Sequence, residues 1–243
     1  MRAVSWFSCG AASAVATKMA LKEKSKYDEF IVACCVVKNE HVDNERFLND
    51  CEKWFDYPIL RLKSDKYDDA WDVWEKTRFL VGPYGARCTT ELKKKVRQKF
   101  QKMSDVQIFG FTSEEAHRAK RFEEQNPEVK LNTPLIDLGI SKNDCLDILY
   151  GAGIEIPTMY KLGYKNNNCI GCVKGGKGYW AKIKRDFPEI FDRMAKLERT
   201  LDASILKDKN GRLFLDEFDV TKYKNIQDDM DFQCGLWCGG DLK

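Results

Sequence analysis

Histidine is nearly absent from this chain: two residues, His41 and His117, among 243. That scarcity removes the mixed Cys/His pattern of a zinc finger. No apolar run reaches the ~18 residues of a membrane span. The apolar start after Arg2 is broken at Ser8-Cys9-Gly10, and Lys18 and Lys22 follow, which is not the layout of a secretory leader. The expectation is a cytoplasmic protein with no membrane partner. Neither charge sign dominates: 41 Lys and Arg face 38 Asp and Glu, a net +3. That balance neither demands nor excludes a nucleic acid. The P-loop pattern and the three-glycine dinucleotide fingerprint are both missing. There is no internal repeat and no low-complexity tract.

Apolar residues make up 43% and aromatics 12%, enough for a real core and too many for a disordered chain. The length suits one large domain, or one domain with an appendage. Buried strands are predicted at "RAVSWFS", "EFIVACCVVK", "PILRLK" and "DVQIFGFT". Helices are predicted at "AASAVATKMALKEK", "DNERFLNDCEKWF" (capped by Asp43 or Asn44), "DDAWDVWEKTRFL", "ELKKKVRQKFQKM", "SEEAHRAKRFEEQ" (capped by Ser113) and "SKNDCLDILYGAG". "GPYGARCTT" is predicted as loop and "KLNTPLIDLG" as extended chain. This alternation implies an α/β fold, a parallel sheet with helices on both faces. Residues 1–160 are expected to form that domain. Composition then shifts, and residues 161–243 form a cysteine-containing extension with a helical "AKIKRDFPEIFDRMAKLERTL" and a hairpin at Asn210-Gly211.

Ligands of parallel sheets bind beyond the carboxyl ends of the strands. One such loop reads Ser8-Cys9-Gly10-Ala11-Ala12-Ser13. Small residues let a ligand approach the backbone, unsatisfied N–H groups of a helix start attract an anion, and Gly10 is free to take a positive φ. Ser8 and Ser13 add hydroxyls. The loop suits phosphate or sulfate oxygens. Further along, Lys93 follows Cys88, and Arg118 and Arg121 lie three apart on one helix, with Glu114 and Glu115 in the same turn. His41 and Asp43 follow the second strand. Lys94, Lys95 and Lys120 read as solvated surface.

Ten cysteines remain to be explained. In a reducing compartment they are not staples. Cys34, Cys35, Cys51 and Cys145 fall in core patterns. Cys169-Ile-Gly-Cys172 has a chelating spacing, which is also that of a redox pair. Cys88, Cys234 and Cys238 complete a thiol set that fits either zinc or a 4Fe–4S cluster.

In order, "SCGAAS", "CTTELK", "GFTSEEAHRAKRF", "NNNCIGCVKGGKGYW" and "CGLWC" resemble the phosphoadenosine phosphosulfate (PAPS) reductase family, within the PP-loop adenine nucleotide α-hydrolase superfamily. The resemblance spans roughly residues 1 to 240. It implies a Rossmann-like sheet that binds an adenine nucleotide, either PAPS, adenylyl sulfate (APS) or ATP. Ser8, Gly10 and Ser13 match the phosphate or sulfate loop, Lys93 a basic position, and Arg118 and Arg121 a nucleotide-gripping helix. Cys88, Cys169 and Cys172 match cluster ligands, with Cys234 or Cys238 as the fourth. The tandem partner of Cys88 is missing, because Arg87 and Thr89 flank it. Cys234 in "QCGLWC" matches the mobile nucleophile, although Gln233 and Trp237 replace the family's acid and imidazole. Reductive cleavage of an adenylyl sulfate to sulfite follows, with a thiol reductant such as thioredoxin. Ala12 replaces an Asp of the ATP-splitting branch. A second expectation is ATP-dependent thiolation of tRNA or DNA, with Lys-rich helices and the neighbouring Tyr179 and Trp180 holding the nucleic acid. A third is a non-catalytic nucleotide-binding module with structural zinc.

Overall fold

A computed structural model describes residues 1–83 and 85–223. In chain order its strands are β1 (Arg2–Trp6), β2 (Glu29–Cys35), β3 (Ile59–Leu62), β4 (Val81–Gly82), β5 (Gly85–Ala86), β6 (Val106–Ile108), β7 (Lys130–Asn132), β8 (Leu206–Asp208) and β9 (Gly211–Leu213). The helices are α1 (Ala11–Lys22), α2 (Asn44–Phe55), α3 (Ala70–Thr77), α4 (Arg87–Thr89), α5 (Lys95–Phe100), α6 (Ala116–Gln125), α7 (Pro134–Asp137), α8 (Lys142–Gly151), α9 (Thr158–Lys161), α10 (Lys177–Asp186) and α11 (Pro188–Leu201).

The architecture is α/β around a five-stranded parallel sheet in the order β3-β2-β1-β6-β7. Ala3 and Val4 of β1 and Val32 and Ala33 of β2 are almost wholly buried. That is the continuous apolar run of a strand covered on both faces. The chain builds outward from β1 in one direction to β3 and then in the other to β7. Strand order therefore reverses between β1 and β6, and the crevice at such a switch point receives ligands in parallel sheets.

Local chemistry explains the departures from the pattern. "KLNTPLIDLG" splits into β7 and α7, because Pro134 takes the first helical turn, where its missing N–H costs nothing. The long helix expected before residue 201 breaks at Phe187, which precedes Pro188 and takes φ −142°. Part of "GPYGARCTT" pairs as the β4–β5 ladder. The helix that follows contains a π turn, Thr90–Lys94. Across that wide turn Glu91, Leu92, Lys93 and Lys94 are all buried, so Lys94 is not the solvated side chain its sequence context implied. The capping residue is not Ser113: α6 has Glu115 at its N-cap, and Thr112 caps the turn before it. Thr112 and Glu115 form a capping box over a 3-10 turn that leads into α6. The hairpin at Asn210-Gly211 is present as β8–β9.

The described residues divide into two compact units. The first comprises residues 1–36, 42–63 and 96–162, and it holds the parallel sheet. Its core joins Ala11, Ala14 and Val15 of α1 to Phe47 and Cys51 of α2 and Cys145 and Leu149 of α8. Cys34, Cys51 and Cys145 are all buried there, and Cys35 is buried in the same unit. Burial pushes the Cys51 thiol well up and the Cys145 thiol to about 12. The second unit comprises residues 37–41, 64–95 and 163 onward. Its core is aromatic, with Tyr179 packed edge-on to Trp180 and Trp180 to Phe191.

Candidate functional site

In the sheet unit, β1 ends at Trp6 and α1 begins at Ala11. The turn between them is made by Cys9, which has φ 55°. Gly10 has φ −104° and is extended, so the left-handed residue is the cysteine, not the glycine. A non-glycine residue in that region is strained and is held only by its surroundings. Cys9 is 2% exposed, and its Sγ lies 3.9 Å from the Sγ of Cys34.

Ser13 organises the loop. Its Oγ accepts from the Ser8 N–H at 3.0 Å, the Ser8 hydroxyl at 3.1 Å and the Gly10 N–H at 3.3 Å, and donates to the Gly10 carbonyl at 2.9 Å. The Ala11 N–H donates to the Tyr160 hydroxyl at 3.3 Å. Side-chain oxygens thus stand on N–H groups to which an anion would bind.

Gly110, at the end of β6, is the second feature of this crevice. A Cβ there would lie 2.7 Å from Ser13 Cα and 2.8 Å from Ser13 N. Only glycine lets the loop after β6 come so close to the start of α1. Tyr160 is supplied by α9, distant in sequence from the loop. Asp43 accepts two bonds from Arg46, at 2.6 and 2.9 Å, and one from the Thr158 N–H at 2.8 Å. Arg46 also donates to the carbonyls of Glu155 and Ile156. These bonds fix the segment that carries Tyr160, and the Arg46 guanidinium holds the Asp43 carboxyl well below the usual carboxylate range. Arg118 pairs with Glu115 and lies over the Phe111 ring, 5.3 Å from its centroid. Arg121 is exposed on α6.

In the second unit, Cys88, Cys169 and Cys172 line one pocket, together with Lys93 and Trp74. Its cavity volume is about 20 Å³. Lys93 Nζ donates to Glu40 at 3.0 Å, and both side chains are nearly buried. Such a pair persists only because each charge answers the other. Asn39 joins two walls of the pocket. Its carbonyl accepts from the Ile170 N–H at 2.8 Å, and its Oδ1 accepts from the Ala70 N–H at 2.6 Å.

The Cys169–Cys172 turn is clamped from within. The Tyr179 hydroxyl donates to the Cys169 carbonyl at 3.0 Å and accepts from the Cys172 N–H at 2.9 Å. Tyr179 is 1% exposed and Trp180 is fully buried. Neither aromatic offers the face for nucleic-acid bases that its position beside Lys-rich sequence implied. Gly171 has φ +73°, which the turn requires. A Cβ on Gly175 would lie 2.0 Å from the Tyr179 ring.

Trp74 is 2% exposed, and its Nε1 is buried without a hydrogen-bond partner. A buried donor left unmade costs about 1–3 kcal/mol. Among the described residues, no group of three or more His, Cys, Asp or Glu side chains is arranged to hold a metal ion. Cys88, Cys169 and Cys172 share a pocket without forming such a group. Cys234 and Cys238 lie outside the described residues. His41 rests against the Phe187 ring. No helix among the described residues is long and apolar enough to cross a membrane.

Gly110, Tyr160, Asn39, Trp74 and the Tyr179 clamp were not found by reading the sequence. Gly110 had a usable signal, a glycine directly after a buried strand. The others act on partners distant in sequence and carry no local signature. No protein-family model matches this chain, and no curated protein is similar enough to it to assign a family.

Proposed function

We propose that this chain is a PAPS reductase-like enzyme with a Rossmann-like nucleotide unit. It binds an adenine sulfonucleotide at the Ser8–Ser13 loop and carries out thiol- and Fe–S-dependent cleavage of an adenylyl sulfate to sulfite. The observation that carries the reading is the pocket lined by Cys88, Cys169 and Cys172, in a chain whose parallel sheet also presents an anion loop at its switch point. Ala12 leaves that loop without a carboxylate to share a magnesium ion, which favours a sulfonucleotide over ATP.

On this reading Ser8, Gly10 and Ser13 receive the phosphate or sulfate oxygens. Arg118, oriented by Glu115, supplies a positive charge, and Arg121 joins it on the same helix. The Cys234 thiolate attacks the sulfur of the sulfo group. A sulfur–sulfur bond forms, the sulfur–oxygen bond to phosphate breaks, and the nucleotide leaves with the electron pair. A thiol reductant such as thioredoxin then releases sulfite and is left as a disulfide. Cys88, Cys169 and Cys172, with Cys238 as the fourth ligand, would hold a 4Fe–4S cluster, which would supply a redox-active iron centre. Lys93, paired with Glu40, lines that pocket.

The test is anaerobic purification with iron and sulfide analysis, followed by titration of ATP, APS and PAPS. Iron and sulfide together with sulfonucleotide binding support the reading. Magnesium-dependent ATP binding with pyrophosphate release would transfer it to thiolation of tRNA or DNA. That alternative has lost the support of Tyr179, Trp180, Lys93 and Lys94, all of which are buried. Zinc in place of iron, without turnover, would leave a nucleotide-binding module.

A further inference from the structure

Cys9 stands inside the Ser8–Ser13 loop and takes no part in the reaction proposed above. Its Sγ lies 3.9 Å from that of Cys34, an S–H···S contact in the core of the sheet unit. Both are thiols, and both are 2% exposed. Cys9 also holds the left-handed φ of 55°, a conformation that glycine adopts without strain. A small apolar packing residue needs neither that strain nor a facing sulfur.

The two sulfurs are anchored unequally. Cys34 belongs to β2, where Ala33 pairs with Trp6 of β1 and Cys34 itself with Arg61 of β3. The Phe7 N–H donates to the Ala33 carbonyl at 2.9 Å. Strands on both sides thus fix the Cys34 backbone. Cys9 lies past the end of β1, in a turn where the Ser8 and Gly10 N–H groups donate to Ser13 Oγ at 3.0 and 3.3 Å. Disulfide sulfurs stand about 2.05 Å apart. Bonding draws these two together by about 1.9 Å, and the turn, not the strand, supplies the movement.

We propose that Cys9 and Cys34 are a disulfide-forming pair, a redox modification site that sets the shape of the loop. The oxidant is a peroxide. The Cys9 thiolate attacks a peroxide oxygen, the oxygen–oxygen bond breaks, and Cys9 becomes a sulfenic acid while the departing hydroxide is protonated to water. The Cys34 sulfur then attacks the Cys9 sulfur. The sulfur–sulfur bond forms, and the sulfenic hydroxyl leaves as water with the Cys34 proton. The two thiols lose two electrons and two protons, and hydrogen peroxide is reduced to two waters. A dithiol reductant reverses the link by exchange and is left as a disulfide. Moving Cys9 takes the flanking Ser8 and Gly10 N–H groups out of line with the start of α1, so the oxidised loop holds an anion less well. That last effect rests on the anion-loop reading above; the disulfide itself does not.

The experiment treats full-length reduced protein with hydrogen peroxide. Thiols and disulfides are mapped by peptide mass spectrometry after alkylation in denaturant, and APS is titrated into the reduced, oxidised and re-reduced forms. A linked Cys9–Cys34 peptide pair is expected, and dithiothreitol should remove it. APS affinity should fall about tenfold on oxidation, the loss of one charge-assisted hydrogen bond, and return on reduction. Cys34→Ala should show neither change. Should it fail to fold, Cys9→Gly removes the other sulfur and relieves the left-handed strain, and it should yield no linked peptide. Recovery of Cys9 and Cys34 as thiols, or of Cys34 linked to the neighbouring core residue Cys51, would overturn the proposal. So would an equal loss of affinity in peroxide-treated Cys34→Ala, which places the effect on other thiols. Protein that yields the linked peptide but binds no APS when reduced would remove the anion-loop reading and leave the disulfide standing.

Discussion

Two buried polar sites, one in each compact unit, are satisfied in opposite ways. At the start of α1 the backbone donors are answered from within the chain, two by Ser13 Oγ and one by the Tyr160 hydroxyl. In the second unit the indole donors of Trp74 and Trp180 are buried and unanswered. An internally satisfied loop is stable at rest, and a ligand must compete with its hydroxyls. A buried donor left unanswered carries a cost. The first design answers its own donors, and the second leaves two indole N–H groups unanswered.

Steric change in the sheet unit should separate the two designs most strongly. Gly110→Ala places a methyl group 2.7 Å from the α1 backbone. The expected loss is about 3 kcal/mol, read by urea unfolding, together with loss of adenine nucleotide binding. Gly10→Ala meets its nearest atom, the Tyr160 hydroxyl, only at 3.5 Å. It should cost less than about 1 kcal/mol, and equal effects at the two glycines would remove the switch-point crevice from the argument.

The second unit has its own pH signature. Glu198 is fully buried, and its carboxylate oxygens accept from the Ile205 and Leu215 N–H groups. Desolvation outweighs those bonds and raises the carboxyl to about 7. A folded-state value above the unfolded one stabilises the protonated form. The contribution is complete below the unfolded value near 4.5 and is lost as pH rises through about 7. The loss is on the order of 2–3 kcal/mol. Hydrogen exchange of amides in residues 195–215 between pH 5 and 8 should show it, and Glu198→Gln should flatten the profile.

Smaller effects test how the loop satisfies itself. Ser13→Ala removes an acceptor from the Ser8 and Gly10 N–H groups, at a cost of about 1–2 kcal/mol. Affinity for a sulfonucleotide should fall about tenfold, as 1.4 kcal/mol implies; unchanged binding by calorimetry would remove Ser13 from the anion site. Tyr160→Phe removes the acceptor for the Ala11 N–H. It should cost about 0.5–1 kcal/mol, visible as a lowered melting temperature with no loss of nucleotide affinity.

The strand–helix alternation of the first 150 residues was legible because burial on both sheet faces writes itself as unbroken apolar runs such as "FIVACC". The Ser8–Ser13 loop was legible because small residues between strand and helix are a local signal. The left-handed residue was misread, because the tertiary structure holds Cys9 where glycine would be the easy choice. Lys94 was misread because a π turn shifts the burial pattern, and no heptad-like periodicity announces such a turn. Tyr160 answers Ala11 across 149 positions, and Lys93 meets Glu40 across 53. Pairings of that kind exist only once the chain has folded.

The Tyr179 clamp bears on how cargo comes and goes. In small zinc domains the metal organises the loop, and a chelator unfolds the domain. Here the Tyr179 hydroxyl bridges the Cys169 carbonyl and the Cys172 N–H, a clamp made from the protein's own groups. On the cluster reading proposed above, loading would resemble filling a socket more than folding a domain: a chelator should strip the centre without melting the protein, and a fresh supply should restore it without a refolding step.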